Sequence, residues 1–463
     1  GEIITQHINQ KFNNTLNWAI AGRSKEKLKN LSDTMNLSEM KTIIADATDE
    51  IALKALCART KIVVSTVGPY ALYGSTLVKI CAETGTDYCD LTGEPQWIKK
   101  MQETYGKTAI DSGARIVHCC GFDSIPSDLG VHFLQQKALK KTGQTCNKIN
   151  MRVLKMKGGA SGGTIASIIN LLKEASRDSK LRKELKNPYS LCPPSHNFTL
   201  FQSNIKVSYD EEYKSWIAPF IMAAINSRVI HRSNALSGNS YGTDFLYEEA
   251  VLIGKGKIGK WKAHFVNIGL AMVMAGLIIP PTRWLLQKFI LPKPGQGPSK
   301  EEQLSGEYEL LFTGTTSDGT KVKCRITGDQ DPGYGSTAKM LAQSAICLAK
   351  DVPKNTKGGL QLHTFQALLQ GGKNGPVIDY ENTKESELFL RIHLPKEEKK
   401  HMPPKSKKQL TKAEIDFISY WIELGAPQDQ TLEQLGTARA LIEPFFSKEE
   451  NRFYPELKLD APN

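Results

Sequence analysis

Among its nine cysteines this 463-residue chain has no C-x-x-C pair, and it carries no uncharged apolar run of the roughly 20 residues that a bilayer span requires. The first absence excludes zinc ribbons and dithiol redox centres of that spacing. An odd cysteine count, with Cys119 and Cys120 adjacent inside the apolar run 116–122, fits free buried thiols in a reducing compartment. No signal peptide, internal repeat or nucleic-acid motif is visible. The 60 Lys and Arg against 48 Asp and Glu, a formal charge of +12, therefore read as a solvated lysine-rich surface, and no nucleic-acid partner is expected. No metal site is expected either. An initiator methionine is also lacking, so the natural start is expected upstream of Gly1.

What is present is an alternation of strand and helix. Residues 17–22 (NWAIAG), 42–45 and 62–67 (IVVSTV) read as strands, and 25–36, 49–58 and 75–84 as the helices that follow them. Later strands are expected at 87–91 and 114–119. Such spacing implies βαβ units and a parallel sheet with right-handed crossovers. From about residue 147 the pattern changes. Strands are expected at 148–155, 206–209, 250–253, 308–313 and 321–326, with a turn at 158–163 (GGASGG) and an amphipathic helix at 164–174. The expected organisation is α/β: a nucleotide-binding domain at 1–146, an α+β domain at 147–327 for substrate or oligomer contact, and a helix at 328–356 returning to the first domain. A small, mainly helical segment at 357–427 and a tail at 428–463 complete it. Residues 265–279 (FVNIGLAMVMAGLII) and on to 291 form the most apolar segment. It reads as a buried helix or dimer contact, or as a hairpin dipping into one leaflet with Arg283 and Trp284 at the interface.

A dinucleotide fold needs a glycine-rich turn where pyrophosphate meets helix N–H groups. Here the chain opens at Gly1 with residues 2–11 reading as the helix, so the first strand and earlier glycines of that turn are expected upstream, and weak or no NADP affinity is expected without them. The next strand ends in Gly22-Arg23-Ser24, the position of ribose selection, where arginine and serine suit a 2′-phosphate and hence NADP. Asp46 closes the following strand. Thr66, Val67, Gly68 and Pro69 form the loop expected to pass over the cofactor.

Four stretches carry a specific resemblance: 65–94 (STVGPYALYGSTLVKICAETGTDYCDLTGE), 119–130 (CCGFDSIPSDLG), 157–167 (KGGASGGTIAS) and 328–340 (GDQDPGYGSTAKM). In order and spacing they resemble the saccharopine-dehydrogenase-like oxidoreductases, a family that includes bacterial trans-acting enoyl reductases. The resemblance covers residues 1 to about 357. It implies a Rossmann domain with an inserted α+β domain, NADPH as reductant, and Gly1 as the last glycine of the opening turn.

Reduction of C=C or C=N needs a proton donor and a polariser. Tyr70, Tyr73, Asp90, Glu94, Asp123, Ser124 and Asp128 lie at expected strand ends, and Tyr73, Asp123 and Ser124 are the catalytic candidates. The plainer account is that Asp123 and Ser124 cap a helix starting near Pro126, Asp90 binds loop amides, and Asp329, Asp331 and Tyr334 pin the helix at 336. The expected function is NADP-dependent reduction of a hydrophobic, lipid-linked or acyl substrate in the cytoplasm or at a membrane periphery. A non-catalytic lipid-surface member of the fold is the alternative.

Residues 357–427 resemble the planctomycete-type cytochrome c domain, with Met402 at the distal haem-ligand position. The C-x-x-C-H attachment motif is lacking, which excludes covalent haem and argues against an electron-transfer module. His363, His393 and His401 read as surface histidines. A secreted-type cytochrome segment and an NADPH enzyme differ in compartment, so a fusion of gene fragments or an assembly artefact near 357–359 is expected rather than a bifunctional enzyme.

Overall fold

The computed structural model describes residues 1–12, 15–37, 41–159, 161–202, 205–291, 297–352, 377, 383–403, 405 and 409–424. Two compact units divide the chain, Gly1–Lys354 and Asn355–Asn463. His363, the 357–359 join and the 428–463 tail lie outside the described residues.

The first unit opens with α1 (Glu2–Phe12), followed by β1 (Ala19–Gly22), α2 (Lys25–Thr34), β2 (Lys41–Ile44), α3 (Glu50–Cys57) and β3 (Ile62–Ser65). Next come the short α4 (Tyr70–Tyr73), then α5 (Ser75–Thr84), β4 (Asp87–Asp90), α6 (Pro95–Ser112) and β5 (Ile116–Val117). β1 pairs in parallel with β2, and β3–β4–β5 form a second parallel ladder. The helices hold these short strands in place. α5 stops where Gly85 takes a φ of 71°, a conformation that glycine adopts without a Cβ clash. One face of the sheet packs Tyr88 and Ile80 against Leu53, Trp97 and Ile98, all buried. The other face packs Cys89 and Cys120 against Ile4 and Leu341.

α7 (Ile125–Thr142) leads into the second sheet through β6 (Cys146–Lys157). There follow α8 (Gly162–Arg177), α9 (Ser179–Glu184), β7 (Ser208–Asp210), β8 (Ser215–Pro219), α10 (Ala223–Leu236) and β9 (Leu246–Gly254). The helices α11 (Gly256–Ile278), α12 (Pro280–Phe289) and α13 (Lys300–Leu304) precede β10 (Glu307–Thr316) and β11 (Lys321–Gly328). The sheet order is β11-β10-β6-β9-β8-β7, antiparallel except for the β6–β9 pair. α7 lies so close to it that a Cβ on Gly130 would stand 2.5 Å from the Phe312 ring. Val131, Leu134, Met151, Ile230 and Phe312 fill the core between. Arg152 on β6 bonds Asp210 and Glu248, each at 2.6 Å, inside this domain.

A five-residue π-helical turn, Pro332–Ser336, then starts α14 (Thr337–Ile346), which returns to the first sheet. There Arg115, next to β5, holds Asp87 at 2.5 Å and also bonds the carbonyls of Leu348 and Val352.

The apolar segment and the glycine-rich turn depart from expectation. The 265–291 segment is not a buried helix: α11 and α12 expose Phe265, Met272, Trp284 and Phe289. The 158–163 turn is shorter than expected, because Ser161 caps α8 by accepting from the Thr164 N–H at 3.0 Å, so the helix begins at Gly162.

In the second unit, helices Glu387–His393 and Lys412–Glu423 pack Leu388, Ile392 and Ile422 around Val377, with Met402 against them. His401 is buried rather than at the surface, its ring nitrogens meeting Leu394 O at 2.7 Å and Gln409 Oε1 at 2.8 Å. His393 is exposed and stacks on Phe389.

Glu249 sits on β9 fully enclosed, accepting from Tyr247 Oη at 2.6 Å and Asn226 Nδ2 at 2.9 Å. Burial pushes its carboxyl up to about 7. A carboxyl raised in the folded state favours folding most below its unfolded pKa near 4.5, and that advantage is lost as pH climbs through about 7. Stability is therefore expected to fall between roughly pH 4.5 and 7 by a term on the order of 3 kcal/mol. Glu249→Gln should flatten that slope in urea titrations across pH. An identical slope in the variant would refute the assignment.

Candidate active site

The site is a cavity of about 1190 Å³ at the carboxyl edge of β3 and β4. Its polar wall comes from strand ends: Thr66 and Gly68 after β3, Thr92, Gly93 and Glu94 after β4, and Asp123 before α7. Gly1, at the start of α1, faces the same space, and a Cβ built on it would stand 3.6 Å from Thr66 Oγ1. The opposite wall is aliphatic, with Ile168, Leu171 and Leu172 from α8, Met222 and Ile225 beside and on α10, and Met274 from α11.

Glu94 latches the loop over the strand ends. Its buried carboxylate accepts from the N–H groups of Tyr70 (2.7 Å) and Ala71 (3.1 Å) and from Ser167 Oγ (2.8 Å). Burial pushes its pKa up, and those donors pull it back down. Tyr70 donates its phenol to Ser65 O at 3.0 Å, and burial holds that phenol well above its ordinary value. Asp90, fully buried, accepts from the N–H groups of Thr92 and Cys119 and meets His118 Nδ1 at 2.7 Å. Asp331 caps the Pro332–Ser336 turn and accepts from Gly159 N–H at 3.1 Å, joining the 328–340 and 157–167 stretches.

Of the three catalytic candidates, the structure brings Asp123 to the cavity. It is half-buried, its Oδ2 stands 4.0 Å from the Cβ position of Gly93, and burial pushes it up to about 6. Ser124 is enclosed and donates to Asn226 Oδ1 at 3.2 Å, neither capping α7 nor lining the cavity. Tyr73 is 45% exposed and stands outside the lining. Asp128 is raised to about 6 by burial and accepts from Ser233 Oγ at 2.9 Å.

The cofactor candidates fall in two groups. Gly1, Thr66 and Gly68 line the cavity, with Val67 and Pro69 in the same loop. Gly22, Arg23, Ser24 and Asp46 lie at the carboxyl ends of β1 and β2. There Ser24 Oγ caps α2 by accepting from Lys27 N–H at 3.3 Å, while Arg23 is exposed. Asp46 is held low by its bonds from Thr48, with a smaller contribution from the Arg23 charge. A helix N-terminus beside bare glycine backbone at parallel strand ends fits a dinucleotide diphosphate.

Sequence reasoning did not find Ser167, Met274 or Arg228, which also line the cavity. Arg228 is a buried cation bonded to Ser190 Oγ and to the carbonyls of Leu185 and Ala224. The amphipathic period of α8 bore on Ser167 alone, since Arg228 lies on α10, where polarity is mixed, and Met274 in the apolar run of α11.

Residues 1–117 match the family model described as the Saccharopine dehydrogenase NADP binding domain, and residues 351–406 match the model described as Planctomycete cytochrome C. With the first match, the chain is of the oxidoreductase class, with a domain for a nicotinamide nucleotide. A trans-acting enoyl reductase of Mycobacterium tuberculosis is 34% identical over 367 residues, spanning 76% of this chain and 86% of its own length. A second protein of that organism carries the same name with a provisional qualifier and is 38% identical over 348 residues, spanning 73% and 83%. Apo saccharopine dehydrogenase (L-Glu forming) of Saccharomyces cerevisiae superposes over 77% of this chain and 91% of its own, with a TM-score of 0.44 and 11% identity, too distant to bear on the assignment. The chain belongs to the saccharopine-dehydrogenase-like family of oxidoreductases.

Proposed function

We propose that the protein is an NADPH-dependent enoyl reductase acting on a hydrophobic acyl substrate. One observation carries the reading: a single cavity sets a half-buried carboxyl, Asp123, and glycine-lined strand ends opposite an aliphatic wall. When bound, the reduced nicotinamide supplies a hydride. The chain's own residues do the rest. Thr66, Gly68 and the N-terminus of α1 would hold the diphosphate, Arg23 the 2′-phosphate, and Asp123 the proton delivered to the substrate carbon. Ile168, Leu171, Leu172 and Met274 exclude water around the acyl chain, and Arg228 adds a positive charge suited to an anionic substituent. The cytoplasm is the compartment this reading assigns, supported by nine free thiols.

NADPH oxidation by the full-length protein should be followed with 2-enoyl thioesters of increasing chain length. Rates rising with length are expected. Turnover with a 2-oxo acid and an amine, and none with any enoyl thioester, would refute the reading. Arg23→Ala should weaken NADPH binding by roughly 10- to 100-fold, the worth of a charge-assisted phosphate contact, and leave NADH unchanged. Tryptophan quenching measures both. Equal losses for the two nucleotides would remove Arg23 from the phosphate site.

A further inference from the structure

Thirteen large apolar side chains between residues 258 and 290 are exposed, too many and too contiguous to be scattered surface residues. On α11, Trp261 (68% exposed), Phe265 (70%), Ile268 and Met272 (64%) recur at helical spacing and form one stripe. Gly259, Ala263 and Leu277 are buried on the opposite side, where Met274 reaches the cavity. α11 is long and apolar enough to cross a bilayer, but Lys257, Lys260 and Lys262 charge its first half, and Gly259, Ala263 and Leu277 keep one side on the protein.

Charge decides what covers that face. Residues 255–300 hold seven lysines, one arginine and not one Asp or Glu, so most of the net +12 sits in this segment. Lys257, Lys260, Lys262 and Lys288 are exposed around the stripe. Lys288 Nζ lies 4.7 Å from the ring centre of exposed Trp284, the aromatic and basic pairing of a bilayer interface. A second copy of the chain would bring the same positive charge against it. An anionic lipid surface neutralises it.

We propose that α11 and α12 form a monotopic docking hairpin that seats the protein on an anionic bilayer, with the apolar stripe at the acyl boundary and the lysines among the headgroups. Met274 is a wall of the cavity while its neighbour Val273 is exposed, so docking brings the cavity up to the lipid. The docking stands whether or not the enoyl reading holds, because it is measured without turnover.

The test is flotation of the full-length protein with phosphatidylcholine vesicles, with and without phosphatidylglycerol. Flotation is expected with phosphatidylglycerol only. Both Phe265→Glu/Met272→Glu and Lys257→Gln/Lys260→Gln/Lys262→Gln should raise the lipid needed for half-binding by about tenfold or more. Circular dichroism melts and NADPH quenching should match the parent, which separates lost docking from lost fold. Failure of the parent to float with either vesicle overturns the proposal, as does undiminished flotation of both variants. So does a parent that elutes as a dimer, stays off vesicles and becomes monomeric with Phe265→Glu/Met272→Glu, which would assign the face to a second copy.

Discussion

Asp123→Asn should lower kcat/KM for an enoyl substrate by roughly 10² to 10⁴, the span that a positioned proton donor contributes, with NADPH binding unchanged. Adding a hydride to one carbon of a C=C bond leaves its neighbour in need of a proton. Asp123 stands at the cavity with its pKa pushed up to about 6 by burial, against 3.8 for a free aspartate. The protonated carboxyl is the donor, so activity should decline as pH rises through about 6. The asparagine variant should keep its residual rate across that range. Tyr73→Phe, outside the cavity, should change little. An Asp123→Asn enzyme with parental kcat/KM would end this assignment. A variant whose activity still declined through about pH 6 would point to another donor.

Arg152→Ala should cost about 3–5 kcal/mol of folding stability, because it strands two carboxylates that the guanidinium neutralises. Arg152 and Asp210 are both buried, and Asp210 also accepts from the N–H groups of Glu212 and Tyr213 in the turn after β7. Removing the cation leaves Asp210 and Glu248 charged, whereas removing the charges together is far cheaper. Arg152→Met/Asp210→Asn/Glu248→Gln should therefore recover most of the loss while keeping the turn acceptor at position 210. Urea titration of the three proteins checks both statements. A single-variant loss below about 1 kcal/mol would show the pair to be solvent-screened.

How far the sequence carried these conclusions differs from element to element. The strand and helix alternation of residues 17–117 was legible because short apolar runs and helical periodicity are local signals, and α5 occupies the expected residues 75–84. The strand expected at 114–119 shrinks to Ile116–Val117. Cys119 adopts a φ of 63° and gives its N–H to the Asp90 carboxylate, which ends the ladder. Nothing local announces that capture.

Ser124 stands where a helix cap is expected, yet its hydroxyl is taken by Asn226, 102 residues away. Arg228 and Glu249 were illegible for the same reason: their meaning lies in burial and in partners distant along the chain. The composition of residues 255–300 was visible from the start. Which face of α11 meets the protein was not, because that depends on how it packs on the domain beneath.

The clasp made by Arg115 has a consequence for synthesis. Its guanidinium waits for the carbonyls of Leu348 and Val352, and α1 waits for α14, so the β3–β5 layer is written in two instalments with the six-stranded sheet between them. Its opening strands leave the ribosome long before their last partners exist. The six-stranded sheet is complete by Gly328, earlier than the layer begun before it. A nascent chain stalled short of Val352 should therefore expose the β3–β5 layer to protease while β6–β11 resist, an inversion of the usual N-terminal-first order.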